Sequence, residues 1–274
     1  MFNTDRLFEE GRSHTLVAAH RGASGGNIPC NTLAAYGIAL RQGADIVEID
    51  VARSRDGQLF TFHPGMEKAH LHSETEIRDM TASEVETLRF FNQDDTPTPY
   101  AVSTLDETLD FLKGKCYINV DKFWTFMPEI AAAIRAHGME KQVIVKTPCE
   151  EKYFDELERV APDFAFIPMV RTTDDVTDGL LRRGIRYAGA EVIFRDENDP
   201  VTSKAYIDKM HDQGLLVWVN AIVYDTRAVI SGGHTDDGAL TGDPDAHWGW
   251  MLDRGFDIIQ TDWCSMLKSY IAGR

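Results

Sequence analysis

One pattern limits what this chain can become. A short apolar run is followed by an amphipathic helical stretch, again and again, and a glycine often closes the helical stretch before the next run. Apolar runs fall at 16–20, 45–51, 59–63, 116–121, 142–146, 164–170, 186–191, 215–220 and 257–261. Helical stretches fall at 31–42, 105–112, 128–136, 150–160, 174–182, 202–213, 245–254 and 264–272. Strands alternating with helices imply βαβ units and parallel pairing. Gly43, Gly138, Gly184, Gly214 and Gly255 stand where a helix ends in a left-handed cap. Eight such units fit a closed TIM (β/α)8 barrel, which takes roughly 250 residues; the chain has 274. The expected fold is one such domain over 1–274, with an inserted segment at 64–104 after the second strand and a long seventh loop at 221–246. A doubly wound open sheet is the alternative on the same alternation.

Charge and cysteine usage narrow the partners. Twenty-eight Lys and Arg face 44 Asp and Glu, a net charge of −16, so the basic footprint of a nucleic-acid binder is missing. A phosphorylated small molecule stays possible, because a metal and a few cations can dominate one pocket. Cys30, Cys116, Cys149 and Cys264 are scattered and read as free thiols of a reducing compartment. The segment MFNTDRLFEEGRSH lacks the apolar core of a signal peptide, and no run approaches the roughly 20 apolar residues that cross a bilayer. A cytoplasmic location without stable membrane insertion is the expectation. Oligomeric state is not legible.

The residues that end the strands share one chemistry. His20 ends the first, Glu48 and Asp50 lie near the end of the second, and Asn119 and Asp121 end the third. Lys146, Glu191 and Asn220 end later strands, and Asp262 follows the last. Side chains two apart on a strand share a face, so Glu48 and Asp50 point one way while Val47, Ile49 and Val51 point the other. In a barrel these ends converge at the face that carries the active site. Two carboxylates and a third from the next strand repel one another unless a cation joins them, and hard oxygen ligands suit Mg²⁺ or Ca²⁺ equally. The plainer reading, strand-end groups that cap loops or pair with Arg and Lys, serves any one of them better than it serves the set. His20 and His63 both close apolar runs flanking the carboxylate pair. They can hold an acid and a base at working pH. Arg21 offers a planar fork to a phosphate oxygen.

The segment HRGASGGNIPCNTLAAYGIALRQGADIVEIDVARSRDGQLFTFH, His20 to His63, resembles the glycerophosphodiester phosphodiesterase family, whose pattern is HRG, PENT, GAD-x-x-E-x-D-V, DG and a strand-ending histidine. STLDETLDFL from Ser103, INVDKF from Ile118, GLLVWVN from Gly214 and GFDIIQTDW from Gly255 continue it more weakly. The resemblance implies a barrel that hydrolyses glycerophosphodiesters to glycerol 3-phosphate and an alcohol by way of a cyclic phosphate. His20 and His63 would be the acid/base pair, and Glu48, Asp50 and Asp121 the metal ligands. Arg21 would bind phosphate, with Trp218 and Asn220 at the pocket.

Departures from the pattern bear on the substrate. Cys30 stands where the family has the Glu of PENT, and Pro64 where it has Asp. Lys122 follows Asp121 directly, one residue early, so alternation points it away from the interior. Lys146 is then expected to supply the missing cation. A lysophospholipid or sugar phosphodiester substrate, a lyase that stops at the cyclic phosphate, and a non-catalytic barrel that binds a phosphorylated ligand are the alternatives. The seventh loop, with His234, Asp236 and Asp237, reads as a plain acidic loop or a lid. His70-Leu71-His72 has the form of a zinc HxH but no apolar strand before it.

Overall fold

A computed structural model describes residues 2–172, 175–223 and 227–274. The expected helix start at Asp174 and residues 224–226 of the seventh loop lie outside them.

The strands are β1 (Leu16–Ala19), β2 (Ile46–Arg53), β3 (Leu59–Thr61), β4 (Tyr117–Asp121), β5 (Val143–Val145), β6 (Ala165–Phe166), β7 (Met169–Arg171), β8 (Gly189–Ile193), β9 (Leu216–Asn220) and β10 (Ile258–Thr261). All pair in parallel in the order β6-β5-β4-β2-β1-β10-β9-β8-β7, except β3, which folds back antiparallel on β2. The run expected as one strand at 164–170 is two, split at Pro168, which has no N–H to give a ladder. That split segment closes the barrel. Ile167 and Met169 donate to Val145 and Thr147 on one side, while Ala188 and Glu191 donate to Phe166 and Pro168 on the other. Counting β6 and β7 as one stave gives eight.

The alternation of each strand sorts two cores. Val47, Ile49, Ile118, Val120, Val143 and Val217 face the surrounding helices. Leu16, Ala18, Ile46, Tyr117, Ile144, Leu216, Trp218 and Ile258 fill the barrel's interior. A helix over Leu7–Ser13, not anticipated from the apolar pattern, sets Leu7 into that interior and closes it from below, with Phe2 edge-on to Tyr117 at 5.1 Å. Side chains such as these contribute about 1.5–3 kcal/mol each when fully buried.

Local chemistry fixes the helix ends. Thr104 and Glu107 form a reciprocal capping box for the helix Leu105–Leu112. Gly43, Gly138, Gly214 and Gly255 adopt positive φ as expected. Gly184 does not, because its helix is only Thr177–Leu180; its N–H donates instead to Glu158. The inserted segment at 64–104 packs Leu71, Ile77, Val85 and Phe90 into a small separate core with Phe60 and Phe62 of the preceding run and Ala52 of β2. No helix among the described residues is long and apolar enough to cross a membrane.

Candidate active site

Strand register assembles the carboxylates. Glu48 lies opposite Asn119, and Asp50 opposite Asp121, across the β2–β4 pair. One oxygen from each of Glu48, Asp50 and Asp121 lies within 4.8 Å of the others. Asp50 uses Oδ2 to meet the protein: Asn31 Nδ2 donates to it at 2.9 Å and Arg21 Nε stands 3.0 Å away. Asp121 likewise uses Oδ2, taking Lys122 Nζ at 3.0 Å. The Oδ1 of each aspartate is buried with no hydrogen-bond partner. Burial, then the charge of Asp50, pushes Glu48 up to about 8. Two bare buried oxygens and a carboxylate driven toward its neutral form are what an oxygen-coordinated divalent cation would relieve, so the residues fit one.

The histidines flank this cluster in unlike surroundings. His20 gives Nδ1 to Asp262 Oδ1 at 2.8 Å. Burial works to lower its pKa, but the Asp262 hydrogen bond and the charge of Glu48 outweigh it and hold His20 above 6.5. His63 lies with Nε2 4.0 Å from Asp50 Oδ1, and burial leaves it below 6.5 despite that charge.

A cavity of about 370 Å³ opens over these groups. His20, Arg21, Glu48, His63, Asp121, Lys146 and Asn220 line it. Two expectations are corrected. Lys122 faces the cavity, because the chain turns left-handed there, with φ 59°, and alternation ends at Asp121. Trp218 is fully buried beneath the floor, where its ring carries Lys146 Nζ at 3.8 Å from its centre. Lys146 itself closes onto Glu191, which also accepts from Asn220 Nδ2 at 2.6 Å.

Several contributors escape strand-end reasoning. Asn31 sits in a loop at φ 54°, although the PENT-like motif holds it. Asn119, by contrast, is one of the strand-end residues, and it is buried with neither side-chain atom partnered. Asp262 was visible only as the residue after the last strand. The His70/His72 pair does not converge: His70 turns to Cys30, 3.9 Å away, while His72 pairs with Asp95 at 2.8 Å. Cys30 is pushed up to about 11 by burial, so it is no thiolate. The seventh loop carries a helix, Asp236–Thr241, and Asp236 is buried rather than part of an acidic surface.

A family model described as a domain of unknown function matches residues 166–271. A glycerophosphodiester phosphodiesterase of Caldanaerobacter subterraneus is 33% identical over 144 residues, 48% of this chain and 58% of that protein's length. The fold is shared with a glycerophosphoryl diester phosphodiesterase of Parabacteroides distasonis, at TM-score 0.79 and 20% identity over 99% of this chain and 92% of that one. It is shared too with an Oleispira antarctica phosphodiesterase solved with its product sn-glycerol-3-phosphate, at TM-score 0.68 and 18% identity over 95% and 98% of the two chains. In sequence, then, the chain is similar to glycerophosphodiester phosphodiesterases over about half its length, spanning less than two thirds of the first of them, and it shares their fold over nearly all of it.

Proposed function

We propose that the chain hydrolyses a glycerophosphodiester to glycerol 3-phosphate and an alcohol. The observation that carries the reading is the placement of two histidines, in unlike surroundings, beside a carboxylate trio that has two bare buried oxygens. Glu48, Asp50 and Asp121 would hold Mg²⁺ or Ca²⁺, which when bound polarises phosphoryl oxygens and lowers the pKa of a nearby hydroxyl.

The chain's own groups do the rest. Neutral His63 takes the proton of the attacking substrate hydroxyl. Protonated His20 gives its proton to the departing alcohol oxygen, leaving a cyclic phosphate. The roles then reverse: His20 takes a proton from water and His63 protonates the ring oxygen, so each ends as it began. Arg21 and Lys122 face the phosphate, and Asp262 orients His20. Lys146, neutralised by Glu191, supports the floor more than the phosphate.

The test is turnover of glycerophosphocholine with Mg²⁺ or Ca²⁺. His20→Ala and His63→Ala should each lose about 10²- to 10⁴-fold in kcat. No turnover with either ion across a panel of phosphodiesters would favour a ligand-binding barrel instead. A second substrate reading has one observation behind it. Met169, Ile193, Ile222 and Ile230 form an apolar wall of the cavity, which suits a leaving alcohol with an apolar part, as in a lysophospholipid. Phosphorus NMR of the products separates these substrates and shows whether reaction stops at the cyclic ester.

A further inference from the structure

The seventh loop reaches the reaction centre through one buried carboxylate. Asp236 opens the helix Asp236–Thr241, and its backbone N–H is tied to Ala221 O, just past β9, at 2.7 Å. The residue is 2% exposed, and its side chain accepts three hydrogen bonds. Oδ1 takes Trp248 Nε1 at 2.8 Å and Thr261 Oγ1 at 2.9 Å; Oδ2 takes the backbone N–H of Asp262 at 2.9 Å. The same Thr261 oxygen accepts Trp263 N–H at 2.9 Å. Thr261, the last residue of β10, and Asp262 are thus held directly on Asp236, and Trp263 is held through Thr261.

The middle one is Asp262, whose carboxylate holds His20 Nδ1. That carboxylate is 46% exposed, so water competes for it and packing does little to fix its direction. Its backbone must do so instead. A buried anion with three donors is costly to place and costly to leave unmatched, and here two of its three donors belong to the strand end behind His20.

We propose that Asp236 is a positioning residue: it fixes the backbone of Asp262, and through Asp262 the ring of His20, for acid/base transfer. This rests on the phosphodiesterase reading, in which His20 handles the leaving group's proton.

Asn at position 236 keeps the shape but cannot serve all three donors. Trp248 can only donate, so the amide oxygen stays with Trp248 and Thr261, and the amide NH₂ meets the N–H of Asp262. In turnover of glycerophosphocholine, Asp262→Asn should lower kcat about 10- to 100-fold, and Asp236→Asn about 10-fold, with KM within about 3-fold of the parent. The double variant should be no slower than Asp262→Asn alone, because both act through one contact. Trp248→Phe removes a different donor and should keep kcat within about 2-fold even if it lowers Tm. Multiplicative losses in the double variant, or a loss at Asp236→Asn that lies in KM, would overturn the proposal.

A second readout needs no turnover. The side-chain ¹⁵N–¹H signal of His20 Nδ1, assigned by its loss in His20→Gln, should shift or vanish in Asp236→Asn and persist in Trp248→Phe. An unchanged signal in Asp236→Asn refutes the relay whether or not the protein hydrolyses phosphodiesters. Absent turnover in the parent protein counts against the phosphodiesterase reading alone. If Asp236→Asn does not fold, Thr261→Val takes its place, with a smaller loss of the same kcat type and the same change in the His20 signal expected.

Discussion

Asn31 grips Asp50 from two directions. Its Nδ2 donates to Asp50 Oδ2 at 2.9 Å, and its Oδ1 accepts the backbone N–H of Asp50 at 3.3 Å. Tyr36 Oη donates to that same Oδ1 at 3.0 Å, so the amide cannot flip without losing two bonds. Asn31→Ala should weaken divalent-ion affinity about 10- to 100-fold, as loss of a group that orients a metal ligand does. Isothermal titration with Ca²⁺ or Mg²⁺ checks this; unchanged affinity would mean Asp50 needs no such support.

The two cavity lysines should behave differently. Lys122→Ala should lower kcat/KM about 10- to 100-fold with little effect on Tm, since Lys122 lies at the site and its ammonium faces the cavity. Lys146→Ala should leave Glu191 buried without its cation and cost about 3–5 kcal/mol of stability, read by denaturant unfolding. The reverse ordering of the two effects would return the phosphate-binding role to Lys146.

The opposed histidine shifts predict a bell-shaped dependence of kcat/KM on pH. Activity should rise as His63 loses its proton, below 6.5, and fall as His20 loses its own, above 6.5. Initial rates across pH, repeated in Asp262→Asn, check the assignment. Removing the partner that raises His20 should move the alkaline limb down. Movement of the acid limb instead would exchange the two roles.

A cation on the carboxylate trio should stabilise the fold. At 100 times its Kd, Mg²⁺ or Ca²⁺ should add about 2.7 kcal/mol, seen as a rise in Tm that Asp121→Asn abolishes. Thermal unfolding that ignores both ions would remove the cluster from consideration as their site.

Much of this is legible in sequence because a parallel strand is a periodic object. Residues two apart share a face, so Glu48 with Asp50 can be paired on paper, and register carries Asp121 to them. Lys122 defeats the same rule because one left-handed residue ends the alternation. Trp218 defeats it differently: it shares the interior face with Asn220 but sits one layer lower, and alternation says nothing of depth. Asn31, Asp236 and Asp262 act from loops and element ends, where hydrogen bonds to distant backbone, rather than any local period, decide the geometry. The split at Pro168 and the closing helix Leu7–Ser13 are decided by what the rest of the barrel leaves uncovered.

That helix below the barrel has a consequence for traffic. With Leu7, Tyr117 and Trp218 filling the shaft, the reaction chamber has its doorway at the rim, and arrivals and departures share it. On the proposed hydrolysis, glycerol 3-phosphate lingering at the threshold would block the next arrival, so its inhibition should be competitive with substrate. The seventh loop, which supplies Ile222 and Ile230 to the wall and Asp236 to the strand end, stands at that doorway as its jamb.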